Sequence, residues 1–169
     1  CDNIKAVFRE TKEMVSGEQE FKPFCIASIL KNSLDNFELL IEKYRIEIFF
    51  DPNKDYNFIC SKTQLQRVFN NLLKNSIDSI CDLDTKWIKV SVHSYQDNLT
   101  ITFTDSGSGI SHKDQGKIFE SFYTTKSIDK GTGLGLSSCR KIIESHGGTI
   151  SYNPNAMNTQ FVITFSVQY

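Results

Sequence analysis

Four groups of residues have the types and spacing to do chemistry. Asp105 ends the alternating segment Leu99-Thr100-Ile101-Thr102-Phe103-Thr104-Asp105. It shares strand parity with Leu99, Ile101 and Phe103, so a carboxylate falls on the face that a sheet buries. A buried carboxylate must be paired or must bind something, whereas an Asp just past a strand caps a turn; parity alone leaves both open. Ser106-Gly107-Ser108-Gly109-Ile110 follows at once, and paired glycines let a backbone approach a ligand closely. Neither the dinucleotide fingerprint nor the P-loop spacing is met. Gly131-Thr132-Gly133-Leu134-Gly135-Leu136-Ser137 runs into a predicted helix, which suits a phosphate chain. Lys126 and Lys130 stand just upstream, and the bland alternative is a flexible linker. Finally, Asn71, Asn75 and Asp78 share one stripe of a predicted helix. Their oxygens suit a hydrated Mg²⁺, which takes few protein ligands. A polar helix edge would look similar, although Asn is a poor helix-interior residue.

These groups need elements to position them. Ile4, Val7, Phe8, Thr11, Met14 and Val15 recur at helical spacing, ending at Gly17. A second helix is expected to open at Pro23 and run through Phe24, Ile29, Leu30, Leu34, Phe37, Leu40, Ile41 and Tyr44. Ile46-Glu47-Ile48-Phe49-Phe50 reads as a strand ended by Asp51-Pro52-Asn53. Leu65, Val68, Phe69, Leu72, Leu73, Ile77 and Ile80 describe one buried stripe of a helix over 62–80. Residues 87–95 and 99–105 alternate around Gln96-Asp97-Asn98, as in an antiparallel hairpin. A Gly-, Ser- and Lys-rich loop over 106–131 precedes a helix over 134–146, which Gly147-Gly148 stops. Strands over 149–152 and 161–167 close the chain. Mixed strands and helices without strict βαβ alternation predict an α+β fold, a two-layer sandwich.

The 169 residues suffice for one domain with an appended helix, and 39% hydrophobic residues can supply its core. A net charge of −1 speaks against bulk electrostatic binding to nucleic acid or acidic membrane. No apolar run approaches a membrane span. Five cysteines with no C-x-x-C pair suggest reduced, space-filling thiols in a cytoplasmic protein rather than zinc or disulfides.

The ordered set resembles the catalytic ATP-binding domain of bacterial sensor histidine kinases, in the gyrase, chaperone, histidine-kinase and MutL superfamily. Asn71-Leu72-Leu73-Lys74-Asn75-Ser76-Ile77-Asp78 looks like the N box, and Asp105-Ser106-Gly107-Ser108-Gly109-Ile110 like the first G box. Ile118-Phe119-Glu120-Ser121-Phe122-Tyr123-Thr124-Thr125-Lys126 is similar to the F box. Gly131-Thr132-Gly133-Leu134-Gly135-Leu136 looks like the second G box. The resemblance spans residues 21–167, and its F box with a short link to Gly131 looks most like the nitrogen-regulation type.

The resemblance implies a Bergerat fold with ATP between the helices and one sheet face. It assigns Asp105 to the adenine amino group, Gly109 to close approach of the ring, and Asn75 to Mg²⁺. Asn71 would stand beside it, Lys74 and Asp78 near the phosphates, and Lys126 at the γ-phosphate. Thr159 would support adenine through water, and residues 111–130 would form an ATP lid. Gly107, Ile110, Phe119, Phe122, Thr125, Gly131, Thr132, Gly133, Leu134, Gly135 and Leu136 complete the implied ATP surface, with Asn71, Asn75 and Lys126 as the catalytic set.

Hydrolysing members carry Glu at the position of Asn71; an amide cannot take a proton at neutral pH, so phosphoryl transfer rather than hydrolysis is implied. His93, His112 and His146 do not fit a phosphoacceptor motif, which places the acceptor before this chain. Residues 1–17 then read as the end of the dimerisation helix and 18–169 as the catalytic domain. The implied partners are that dimerisation domain and a response regulator receiver, with a homodimer in a full-length protein that could carry a membrane anchor. A serine kinase of the anti-sigma type, an ATP-driven clamp and a nucleotide-binding scaffold without catalysis are the other readings; Asn71 disfavours the first two and the intact boxes the third. The chain departs from the family pattern at Asn158, usually Gly, at Phe165-Ser166, usually Leu-Pro, and at Gln115-Gly116 in the lid.

Overall fold

The computed structural model describes residues 21–52, 56–126 and 131–166. The predicted helix over 1–17, Lys130 and the end of the last predicted strand lie outside them. The elements are β1 (Lys22–Cys25), α1 (Ile26–Asp35), α2 (Glu38–Tyr44), β2 (Glu47–Phe50), β3 (Asn57–Cys60), α3 (Lys62–Ile80), β4 (Trp87–Tyr95), β5 (Asn98–Asp105), α4 (His112–Gln115), α5 (Gly135–Ser145), β6 (Gly148–Tyr152) and β7 (Gln160–Ser166).

Period-two alternation explains the main sheet. Ile88, Val90 and Val92 of β4, Leu99, Ile101 and Phe103 of β5, and Phe161, Ile163 and Phe165 of β7 are all buried. The residues between them are not, so one face packs and the other stays open. Five strands run in the order β2-β4-β5-β7-β6. β2 lies parallel to β4, and the other neighbours are antiparallel. The stripe of α3 meets the packed face, where Phe69 stacks obliquely on Phe103 with ring centroids 5.7 Å apart. Truncating the fully buried Phe69 to Ala would cost about 3–5 kcal/mol, because cavity and transfer terms add. α1 packs beside α3 on one flank and α5 on the other. The result is a two-layer α/β sandwich with a mixed sheet, as expected.

The predicted helix opening at Pro23 is corrected. Pro23 lies in β1 and pairs with Ile59 of β3 in a separate two-stranded ribbon. A short ribbon tolerates a missing N–H, and β3, with its strict exposed–buried alternation, escaped the sequence reading because it spans only four residues. The helix starts at Ile26, where the Cys25 sulfur accepts from the Ser28 N–H at 3.3 Å. It also breaks at Asn36 and Phe37, so one predicted helix is two. Of the family departures, Phe165 is a core residue, its ring 4.5 Å from that of Phe58.

Candidate functional site

β5 carries its alternation to the last residue, and that residue is Asp105, only 2% exposed. The Gly107 N–H donates to Asp105 Oδ1 at 2.9 Å, and the hydroxyls of Ser76 and Thr159 bond the same carboxyl group. Burial pushes its pKa up, while these three hydrogen bonds oppose the rise. The backbone locks the corner: the Asp105 N–H donates to the Thr159 carbonyl at 3.0 Å, and the Thr159 N–H to the Gly107 carbonyl at 3.1 Å. Asn158 adds its amide to that carbonyl at 3.3 Å, which gives the first family departure a bonding role. Asp105 is thus both turn-bonded and buried against a cleft, so the two readings of its parity are compatible.

Gly109 has φ +89°, and a Cβ there would lie 2.8 Å from the Tyr152 hydroxyl. That hydroxyl accepts from the Ile110 N–H at 3.0 Å. The glycine therefore has a structural reason besides ligand access: it lets the end of β6 hold the loop. Gln115 supports the same loop, its amide donating to the Ile110 carbonyl at 2.8 Å.

At the other end, α3 presents Asn71, Asn75 and Asp78, and α5 begins at the second glycine loop. First-turn N–H groups of a helix have no intrahelical acceptor, so this end is partly positive. Asn71 faces it: a Cβ on Gly135 would sit 3.7 Å from Asn71 Oδ1. Asn71 also hydrogen-bonds the Cys139 thiol. The loop is fitted tightly, since Gly133 has φ +68° and a Cβ there would fall 2.3 Å from the Phe122 carbonyl carbon. Lys126 extends its ammonium to Asp78 Oδ2 at 2.7 Å and Asn75 Oδ1 at 3.3 Å. A cation thus already sits between an amide oxygen and a carboxylate oxygen of the predicted metal stripe. An oxygen-only donor pair converging on a positive group fits Mg²⁺.

These groups line one open cleft of about 440 Å³, within the size range of nucleotide-sized pockets. Of the sequence-predicted residues, Asn71, Lys74, Asn75, Asp78, Asp105, Gly109, Ile110, Thr125, Lys126, Gly131, Thr132, Gly133, Gly135, Leu136 and Thr159 are on its wall. Gly107, Phe119, Phe122 and Leu134 are not. Gly107 braces Asp105, and Phe119 packs edge-on against Phe161 beneath the Arg140 guanidinium. Phe122 is exposed at φ +68°, and Leu134 is the N-cap of α5.

The wall also holds Ser76, Ser111, Asp114, Ile118, Tyr123 and Thr124, which the sequence reading put in the boxes or the lid without a ligand role, and Ser79 and Phe161, which it passed over. Ser76 had a signal, because it falls on the apolar stripe of α3 yet is polar and buried. Asp114 accepts from Ser111 Oγ and, at 2.6 Å, from the Tyr123 hydroxyl. Those bonds hold its carboxyl below the usual range. The spacing Ser111-x-x-Asp114 was its signal.

The buried thiols are inert. Burial pushes Cys60 up to about 11 and Cys139 up to about 12. Among the described residues no helix is long and apolar enough to cross a membrane.

Comparison with known proteins agrees with this geometry. The family model described as "Histidine kinase-, DNA gyrase B-, and HSP90-like ATPase" matches residues 60–169. An NtrY-like sensor histidine kinase of Rickettsia bellii is 30% identical over 159 residues, 87% of this chain and 25% of that protein. Sporulation kinase E of Bacillus subtilis is 32% identical over 145 residues, 85% of this chain and 19% of that protein. The chain therefore spans about a quarter or less of the length of these relatives. The nucleotide-free catalytic domain of histidine kinase ThkA superposes with a TM-score of 0.77 at 31% identity, covering 87% of this chain and 95% of that one. ThkA in complex with response regulator protein TrrA gives a TM-score of 0.81 at 26% identity, covering 99% of this chain and 48% of that chain.

Proposed function

From the premise that this chain belongs to the histidine kinase-, DNA gyrase B- and HSP90-like ATPase family, we propose that it is the catalytic domain of a sensor histidine kinase. In this reading its cleft binds ATP, and the γ-phosphoryl passes to a histidine on a preceding domain. The observation that carries the reading is the buried Asp105 carboxyl on the wall of a cleft whose other end holds Lys126 and a glycine loop opening a helix. The carboxylate accepts the adenine amino group while Gly107, Ser76 and Thr159 hold it in place. Lys126, Lys74 and the start of α5 face the phosphates.

Asn75, with Asp78 beside it, would hold Mg²⁺, which when bound neutralises phosphate charge. The acceptor nitrogen attacks the γ-phosphorus as the bond to the bridging β-oxygen breaks, and that electron pair leaves with ADP. Positioning and charge neutralisation carry such a transfer. Asn71 supports transfer over hydrolysis, because an amide beside the phosphates activates no water. By analogy with the ThkA–TrrA complex, a response regulator receiver is the downstream partner. The same reading brings homodimerisation through the preceding helices and a cytoplasmic placement of the domain.

The test uses a chain extended upstream through the preceding helices, incubated with γ-labelled ATP and Mg²⁺. An acid-labile, base-stable protein label is expected, the signature of phosphohistidine. An acid-stable label would make it a serine kinase. Free phosphate without a protein label would return the ATPase reading.

A further inference from the structure

Lys126 is borne by the loop between α4 and α5, yet its ammonium is seated against α3. It lies 2.7 Å from Asp78 Oδ2 and 3.3 Å from Asn75 Oδ1, and both lysine and aspartate side chains keep about a third of their surface exposed. The stem is guided to this place. The Lys126 N–H donates to Thr124 Oγ1 at 3.1 Å, and a Cβ added to Gly131 would lie 3.2 Å from Lys126 Cβ. One side chain therefore spans the polar stripe of α3 and the glycine loop. The two oxygens that it engages are the donors that the proposed function gives to a divalent cation. An ammonium and a divalent ion cannot share that space, since like charges at contact distance repel strongly.

We propose that Lys126 is a tethered substitute for the metal, and that it makes the site discriminate nucleoside triphosphates from diphosphates. The inference rests on the nucleotide reading above. When a metal–nucleotide complex enters, the ammonium must leave Asp78 and Asn75. A triphosphate offers it a new anionic partner, the terminal phosphate, so one ion pair replaces another. A diphosphate presents no such group within the same reach, and the lost pair is not replaced. Lys126 thereby weakens the product complex more than the substrate complex, which speeds product release without any further element. The exchange is local: one side chain changes partner while its loop anchor at Thr124 stays.

The effect is modest because the pair is partly exposed. Isothermal titration would compare the wild type with Lys126→Met, using ADP and a non-hydrolysable ATP analogue, each with Mg²⁺ and with EDTA. For Mg²⁺–ADP the variant should bind roughly two- to fivefold tighter, the range of an exposed ion pair. For the Mg²⁺–analogue it should bind no tighter, so the preference for triphosphate collapses. Metal-free ADP should gain no affinity from the substitution, and thermal melts of the nucleotide-free proteins report that the variant is folded. Mg²⁺–ADP affinity that is unchanged, or that falls in step with the analogue, would overturn the inference while leaving the nucleotide site standing. A wild-type protein that binds neither nucleotide would overturn both.

Discussion

Asp105 and Asp78 line one cleft and are built in opposite ways. Asp105 is buried, sits at the end of a strand, and has three hydrogen-bond donors from three separate parts of the chain. Asp78 is exposed on a helix, and its carboxylate meets the ammonium of a lysine on a neighbouring loop at 2.7 Å. The first arrangement is preorganised, so its acceptor costs little to orient when a ligand arrives. The second is an exchangeable contact whose partner can be replaced by another cation. In the proposed reading, recognition of the base and handling of the phosphates fall to a rigid end and an adjustable end of the same site.

The largest expected effect breaks the rigid end. Asp105→Asn keeps the shape but removes the ionised acceptor, and nucleotide affinity should fall by about 2–3 kcal/mol, roughly 30- to 150-fold. The same variant should not be less stable without ligand. Burial raises the folded pKa of Asp105, so the ionised carboxyl costs stability as pH rises from about 3.9 through that folded value. The amide removes this cost. Titration calorimetry and thermal melts at neutral pH would check both; unchanged affinity would remove Asp105 from the binding site.

At the adjustable end, Asn75→Ala should remove the Mg²⁺-dependent part of nucleotide binding, a loss of at least about tenfold. Affinity in EDTA should stay the same. Identical titrations with and without Mg²⁺ in the wild type would refute the metal assignment.

Smaller still is the effect at His146, at the end of α5 away from the glycine loop. Its Nδ1 donates to the Ile142 carbonyl at 2.8 Å, and its Nε2 accepts from the Ser61 N–H at 3.0 Å. The Nε2 contact requires the neutral ring, and burial lowers the pKa against the opposing pull of the Ile142 carbonyl. Its contribution is therefore complete above about 6.5, the unfolded value, and is lost as pH falls through the folded one. The wild type should lose about 1 kcal/mol on this account between pH 7.5 and 5. His146→Gln should flatten that part of the pH–stability curve, while nucleotide binding at pH 7.5 is unaffected. The smallest change is Phe122→Gly, which relieves a left-handed backbone at an exposed ring. Denaturant melts should show no destabilisation and a gain of up to about 1 kcal/mol.

Much of this was readable in the residues. The parity of Asp105 with Leu99, Ile101 and Phe103 placed a carboxylate on the packed face, and there it is. The spacing of Asn71, Asn75 and Asp78 put three polar groups on one stripe of α3, and all three line the cleft. The reading held for the strand over 47–50 but failed at residues 22–25, at the helix break over 36–37 and at residues 57–60. Pro23 looked like a helix start because proline suits that position, and nothing local announced that it would pair with Ile59. Nor did local pattern reveal that Ser76, a polar residue in an apolar stripe, bonds Asp105 across 29 positions of chain.

Strand parity, helical spacing and the order of the glycine-rich segments were enough to define the fold class and to mark both ends of the cleft, since a two-residue or 3.6-residue period belongs to the chain itself. The partner of each polar group was not so defined. Lys126 meets Asp78 across 48 positions, and His146 meets Ser61 across 85. Such pairs form where packed layers happen to bring segments within hydrogen-bond reach, and a local period carries no information about that distance.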